Sequence, residues 1–261
     1  PPYSSAASDV YKRQVLDNAR SLLPVAKGEV YLPLLQGKVL GNLFFENSTR
    51  TRMSFETAMK RLGGEVLNLS SIGSSVAKGE TLYDTMQMVD GYADIAVIRH
   101  PNQGAAQYSA DAVEIPILNG GDGAGNHPTQ TMLDLFTIRE AHGSLEGLNV
   151  MMVGDLRYGR TTHSLSHALV RFGAKITLVS PESLRMPDEI VSDLKSHGGD
   201  VKETDEMSSS IDSADVIYMT RIQKERFPDE DEYVKVAGVY KLTEDDLSLI
   251  HISEPTRQAE I

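Results

Sequence analysis

The chain has 261 residues, of which 40% are hydrophobic and 24% charged, ordinary globular values that exclude wholesale disorder and collagen-like or coiled-coil architectures. Cysteine is absent, which removes disulfides, thiolate zinc sites, iron–sulfur clusters and cysteine nucleophiles together. Twenty-five Lys and Arg against 37 Asp and Glu give a net charge of −12, the opposite of a chain built to neutralise a phosphate backbone, so nucleic acid is not an expected partner.

Residues 1–14 are polar and aperiodic and are expected to be disordered or foreign to the fold; the native-looking pattern starts near Val15. Residues 1–30 lack the apolar core of a signal peptide, and no stretch approaches the roughly 18 apolar residues a membrane helix needs, so the expected location is cytoplasmic, without a membrane partner. Short apolar runs at 38–45, 66–69, 95–98 and 115–118 read as strands. Phe55, Ala58, Met59 and Leu62 follow i, i+3, i+4, i+7 spacing between them, which predicts a helix with those four on a buried face. Residues 129–140 predict a helix bridging to a second series, with strands at 150–153, 176–179 and 216–219. There Leu165, Ala168, Leu169 and Phe172 repeat the helical spacing. Alternating strands and helices imply an α/β fold of two doubly wound domains, each a parallel sheet flanked by helices, joined by the bridging helix. The expected boundaries are 15–142 for the first domain and 143–250 for the second.

Polar clusters fall where strands should end. The stretch F-F-E-N-S-T-R-T-R runs from a strand straight into a helix, so Ser48, Thr49, Thr51, Arg50 and Arg52 arrive at a helix N-terminus. Unsatisfied first-turn amides, hydroxyls and guanidinium groups together suit a phosphate. Plain N-capping by Ser48 or Thr49 is the simpler reading, but a cap does not call for two arginines beside three hydroxyls. Arg99 and His100 follow the third strand. The glycine-rich loop 119–130 follows the fourth and delivers His127, Pro128 and Gln130 to the start of a helix. His127 alone could equally be a helix cap; three strand ends aimed at one crevice favour a ligand site.

In the second series V-G-D-L-R-Y-G-R-T has glycines at 154 and 159, yet Leu156 stands where a dinucleotide fingerprint needs its middle glycine, so nucleotide binding is disfavoured. Arg157 and Arg160 instead offer forks suited to carboxylates, and Arg221, Gln223, Lys224 and Arg226 follow the last strand. His163 and His167 are spaced i, i+4 but lack a third ligand, so no metal site is expected. Residues 71–81 form a loop too long for a turn, carrying Ser74 and Lys78.

F-F-E-N-S-T-R-T-R, S-S-V-A-K-G-E-T, R-H-P, H-P-T-Q-T, G-D-L-R-Y-G-R-T and M-T-R-I-Q-K-E-R, in this order, resemble the catalytic chains of the aspartate/ornithine carbamoyltransferase family. K-G-E-T and M-T-R-I-Q-K-E-R resemble its aspartate branch, which leaves the ornithine branch second. The resemblance covers 15–250. It implies transfer of the carbamoyl group of carbamoyl phosphate to the amine of L-aspartate, without metal or organic cofactor. By matching position, Ser48, Thr49, Arg50 and Thr51 would hold the phosphate. Thr51, Arg99 and His127 would donate to the carbamoyl oxygen, and Gln130 would orient the carbamoyl nitrogen. Lys78, Arg160, Arg221 and Gln223 would bind aspartate. Ser74 and Lys78 would be donated to a neighbouring subunit, which implies a homotrimer able to take added regulatory chains. The family continues beyond the second sheet with an H-P-L-P segment, whereas residues 251–261 here do not match it. The chain is accordingly expected to be shortened at both ends, with a loss of about a fifth of a family-length chain at the C-terminus, so that it binds substrates weakly or is inactive.

Overall fold

The computed structural model describes residues 6–70, 75–123, 125–220 and 240. Elements follow in the order α1 (Ala6–Ser21), α2 (Leu23–Ala26), β1 (Val39–Phe44), α3 (Thr49–Arg61), β2 (Glu65–Ser70), α4 (Leu82–Asp90), β3 (Ile95–His100), α5 (Ala105–Ala112), β4 (Ile117–Asp122) and α6 (Pro128–His142). After these come β5 (Asn149–Val153), α7 (Arg160–Arg171), β6 (Lys175–Val179), α8 (Asp188–Ser196), β7 (Val201–Thr204), α9 (Ser208–Ile211) and β8 (Val216–Met219). The leader expected to be disordered is helical from Ala6, in one helix continuous with the region of Val15 to Ser21. Leu16 on that helix is buried, so packing of its second half carries the periodicity back through a polar first half.

The chain divides into two compact units, one from Tyr11 to Gln130 and one from Thr131 onward, so the division falls inside α6. In the first unit the sheet order is β2-β1-β3-β4, every pair parallel. Its two central strands, β1 and β3, are buried on both faces, which is why they read as near-continuous apolar runs. Leu43, Met86, Ala96 and Ile98 pack on one side of the sheet, and Leu40, Phe44, Met59 and Val97 on the other. Of the face predicted for α3, Met59 is buried and Phe55 and Leu62 half-buried, but Ala58 is exposed: a 13-residue helix lying on a sheet edge covers a narrower stripe than its spacing allows.

The second unit has the order β7-β6-β5-β8, again all parallel. Leu165, Ala168, Leu169 and Phe172 are all buried, as their spacing predicts. In both sheets the chain reverses its direction of travel once, between β1 and β3 and between β5 and β8. At such a switch point the loops leaving the strands' carboxyl ends diverge to opposite faces and leave room for a ligand.

Candidate active site

At the first switch point β1 pairs with β3 with Phe44 opposite Arg99, and the Phe45 amide donates to the Arg99 carbonyl at 2.8 Å. The loop after β1 is thereby pinned beside Arg99, and three residues later α3 begins. Ser48 occupies the N-cap position with extended backbone (φ −159°), yet its hydroxyl makes no capping hydrogen bond, and no acidic residue stands in the first turn. The first-turn amides and the Ser48 hydroxyl are thus not consumed by a cap, and the helix start keeps its positive end. Ser48 and Thr51 are half-buried, Thr49 and Arg50 exposed. Buried Asn42 on β1 clamps this turn from beneath, its Nδ2 donating to the Arg52 carbonyl at 3.3 Å and to Asn68 Oδ1 at 2.9 Å.

Arg99 is itself buried, with 8% exposure, an expensive place for a guanidinium without acceptors. Its Nη1 donates to the Gly120 carbonyl at 3.3 Å, and its Nη2 to Glu46 Oε1 at 2.7 Å. Nε has no partner. Nη1 also lies 3.4 Å from Nε2 of His127, whose ring is 6% exposed. His127 Nδ1 accepts from the Gln130 amide at 3.4 Å and lies 3.4 Å from Thr129 Oγ1. Arg99 and His127 thus meet edge to edge through Nη1 and Nε2. His127 is also the residue preceding α6, with Pro128 at its first position, so the contact at the start of α6 and the contact with Arg99 belong to the same ring.

Strand β4 extends to Asp122, so the glycine-rich stretch expected to be a loop from Asn119 is in part a strand. A Cβ at Gly120 would sit 3.1 Å from Val97 Cγ1 and 3.3 Å from the Ile98 carbonyl, so these glycines admit close approach to β3. Asp122 then organises the following turn, accepting from the Asn126 and Gly104 amides at 2.6 and 3.0 Å.

The second switch point has a comparable build. Gly154 has φ +120°, and a Cβ there would fall 2.5 Å from Thr220 Oγ1 and 2.6 Å from the Thr220 carbonyl. At Gly159 it would meet the Asp155 carbonyl at 2.6 Å. Both glycines thus serve chain crossing rather than pyrophosphate approach. Arg160 opens α7 and is half-buried; Arg157 stacks over Tyr158 at 5.4 Å and donates to the Ser183 carbonyl at 3.3 Å, which commits it to its own surroundings. His163 contacts the Leu156 carbonyl at 2.8 Å, and His167 contacts the His163 carbonyl at 2.8 Å and Asp193 Oδ2 at 2.9 Å. Among the described residues no cluster is arranged to hold a metal ion.

Of the predicted site residues, Arg99, His127 and Gln130 are brought into direct contact, and Ser48, Thr49, Arg50 and Thr51 stand on the adjoining strand end. Lys78 is exposed at the end of a short 3-10 helix, Ser75–Lys78. Ser74, Arg221 and Gln223 lie outside the described residues. Glu46 and Asn42 escaped the sequence reading. Asn42 carried a signal, a lone amide inside an apolar strand; Glu46 carried none, since its partner is 53 residues away.

Comparison with known proteins gives the same answer from another direction. Residues 5–140 match the family model for the aspartate/ornithine carbamoyltransferase carbamoyl-P binding domain, and residues 146–253 match that for the Asp/Orn binding domain. The chain belongs to the aspartate/ornithine carbamoyltransferase family. Within this family it is 58% identical over 226 residues to the aspartate carbamoyltransferase catalytic subunit of Methanococcoides burtonii, covering 86% of this chain and 73% of that one. It is 53% identical over 234 residues to that of Archaeoglobus fulgidus, covering 89% and 77%. Among carbamoyltransferases of known structure, the catalytic subunit of M. jannaschii aspartate transcarbamoylase superposes with a TM-score of 0.82 at 50% identity, covering 89% of this chain and 76% of that one. The Trypanosoma cruzi enzyme in complex with N-(phosphonacetyl)-L-aspartic acid gives 0.86 at 37% identity, covering 92% and 78%. This carbamoyltransferase chain therefore spans about three quarters of the relatives it matches. No helix among its described residues is long and apolar enough to cross a membrane.

Proposed function

We propose that this chain transfers the carbamoyl group of carbamoyl phosphate to the amine of L-aspartate, giving N-carbamoyl-L-aspartate and phosphate. The observation that supports the reading best is the buried contact of Arg99 Nη1 with His127 Nε2 at 3.4 Å, on strand ends beside the start of α3. A carbonyl oxygen placed between them accepts from both, and gains most when attack turns it into an oxyanion. The amine nitrogen forms a bond to the carbamoyl carbon, the carbon–oxygen bond to phosphate breaks, and the proton shed by the amine leaves with the phosphate.

Each part of that step has a residue suited to it. Ser48, Thr49, Arg50 and Thr51, at the uncapped start of α3, hold the phosphate, and Arg50 offsets the charge gathering on the leaving oxygen. Thr51 adds a third donor to the carbamoyl oxygen beside Arg99 and His127, and Gln130 orients the carbamoyl nitrogen. Arg160, Arg221 and Gln223, with Lys78, take the two carboxylates of aspartate. The residues to 142 form the carbamoyl phosphate-binding domain and those from 143 to 250 the aspartate-binding domain. The exposed position of Lys78 suits a side chain that, with Ser74, completes the site of a neighbouring subunit in a homotrimer, to which regulatory chains can attach. The cytoplasm is the compartment we assign.

The test is direct: incubation of the chain with carbamoyl phosphate and L-aspartate, with N-carbamoyl-L-aspartate measured by mass spectrometry, and sedimentation equilibrium for the trimer. Product with L-aspartate and none with L-ornithine is expected. Absence of carbamoyl aspartate, or full activity in Arg50→Ala, overturns the reading.

A further inference from the structure

Strand β1 carries one amide in an otherwise apolar run. Asn42 shares a face of β1 with Leu40 and Phe44, which pack with Met59 of α3 and Val97 of β3, and it is fully buried. Its Oδ1 has no hydrogen-bond partner among the described residues, so the side chain is poor core material: an apolar residue would fill the place without an orphaned oxygen. What the amide supplies is Nδ2, whose two protons go to the Arg52 carbonyl in the first turn of α3 at 3.3 Å and to Asn68 Oδ1 on β2 at 2.9 Å.

The direction of that amide is imposed from outside the core. Glu56, one turn further along α3, accepts from Lys60 Nζ at Oε1 and from Asn68 Nδ2 at Oε2, at 2.6 and 3.1 Å. Lys60 first, and then Asn68, hold its carboxyl below the usual carboxylate range, so at neutral pH it can only accept. Asn68 must therefore turn its NH2 toward Glu56 and its oxygen toward Asn42. Asn42 in turn must present its NH2 to both Asn68 and Arg52, because the opposite orientation would set oxygen against oxygen at both contacts.

We propose that Asn42 is a positioning residue for carbamoyl phosphate: aligned by Asn68 and Glu56, it fastens the Arg52 carbonyl to β1 and so sets where Ser48, Arg50 and Thr51 meet the phosphate. The proposal rests on the carbamoyltransferase reading and adds to it a residue that touches no substrate. Arg52 directly follows Thr51, and the loop before Ser48 is held to Arg99 by the Phe45 amide, so the gripping turn is tied to the sheet on both sides. A grip made of several hydrogen bonds weakens when its turn shifts, whereas the residues assigned to aspartate stand outside this network.

Binding and steady-state kinetics on the full chain decide it. Asn42→Leu, which suits the apolar face but donates nothing, should raise the Kd for inorganic phosphate and the KM for carbamoyl phosphate about three- to tenfold, with the KM for L-aspartate held within about twofold. Asn68→Ala, a change at an exposed position that leaves Asn42 in place, should move the same two constants in the same direction by about two- to fivefold. The double variant should be no worse than Asn42→Leu alone. Leu40→Ala opens a cavity on the same sheet face and lowers stability, yet should keep the parent's phosphate affinity, which separates position from stability. An unchanged phosphate Kd in Asn68→Ala, or an equal rise in Leu40→Ala, overturns the proposal while leaving the reaction assignment intact. A parent chain that makes no carbamoyl aspartate instead overturns the reading on which it stands.

Discussion

Glu46 Oε1 lies 2.7 Å from Arg99 Nη2, with the guanidinium 10% exposed and the carboxylate 31%. The buried guanidinium of Arg99 is therefore held by an internal carboxylate. An incoming anion meets both the cation and the charge that neutralises it. Glu46→Gln keeps a hydrogen-bond acceptor for Nη2 and removes the competing charge, so inorganic phosphate should bind about two- to fivefold more tightly at low salt, the range expected of a partly exposed pair. Isothermal titration in low and high salt measures it; weaker binding at both would mean that Glu46 builds the site rather than competing for it.

His127 makes two contacts through one ring, with the Gln130 amide at the start of α6 through Nδ1 and with Arg99 through Nε2, and the proposed reaction makes the second nitrogen a donor to the carbamoyl oxygen. His127→Asn separates them. Asparagine is a good N-cap, so Tm should stay within about 3 °C, the shift that about 1 kcal/mol makes in a chain of this size. The carbamoyl oxygen loses one donor, and kcat should fall about 10²- to 10³-fold. A large fall in Tm with kcat retained would return His127 to a purely structural part.

Gly154 offers a check on the second domain that does not depend on the reaction. Its φ of +120° and the 2.5 Å approach of Thr220 Oγ1 to a would-be Cβ leave no room for alanine. That same Thr220 hydroxyl accepts from the Asp155 amide at 2.8 Å, so displacing it opens the turn between β5 and α7. Gly154→Ala should cost about 2 to 4 kcal/mol in chemical denaturation, strain and lost hydrogen bond together. Gly143→Ala, at a φ of +79° with open space around it, should cost less.

What the sequence made legible and what it hid follow one physical division. Strands buried on both faces announce themselves as apolar runs, so β1, β3, β5 and β6 were readable to within a residue or two. β7 was not, because V-K-E-T has a single buried side chain and becomes a strand only by pairing with β6. β4 was misplaced toward its start, because its glycines look like turn residues until β3 is beside them and Val97 needs the room. The polar turn from β1 into α3 was readable because all its parts are contiguous. The Glu46–Arg99 pair and the Tyr218–Asp134 hydrogen bond were not, since their members are far apart in the chain and no local pattern encodes their meeting.

His100 gives the chain a calculable acid response. Its ring lies at the end of β3, 5.4 Å from the Phe45 ring, with Nδ1 accepting from the Asn102 amide at 3.0 Å. Burial lowers its pKa below the ordinary 6.5, against the opposing pull of the Glu46 charge. Below pH 6.5 the unfolded chain takes up a proton at this position that the folded chain refuses, so folding stability is whole above 6.5 and is lost as pH falls through the depressed native value. The acidic groups respond lower: Asp94, held below 3.8 by Lys38 and the Val39 amide, loses its contribution only as pH falls further. Between pH 6.5 and 5 the slope of Tm against pH should therefore carry the His100 proton, and His100→Gln, which keeps an acceptor for the Asn102 amide but does not titrate, should flatten it. An identical slope in that variant would assign the proton uptake to one of the other histidines.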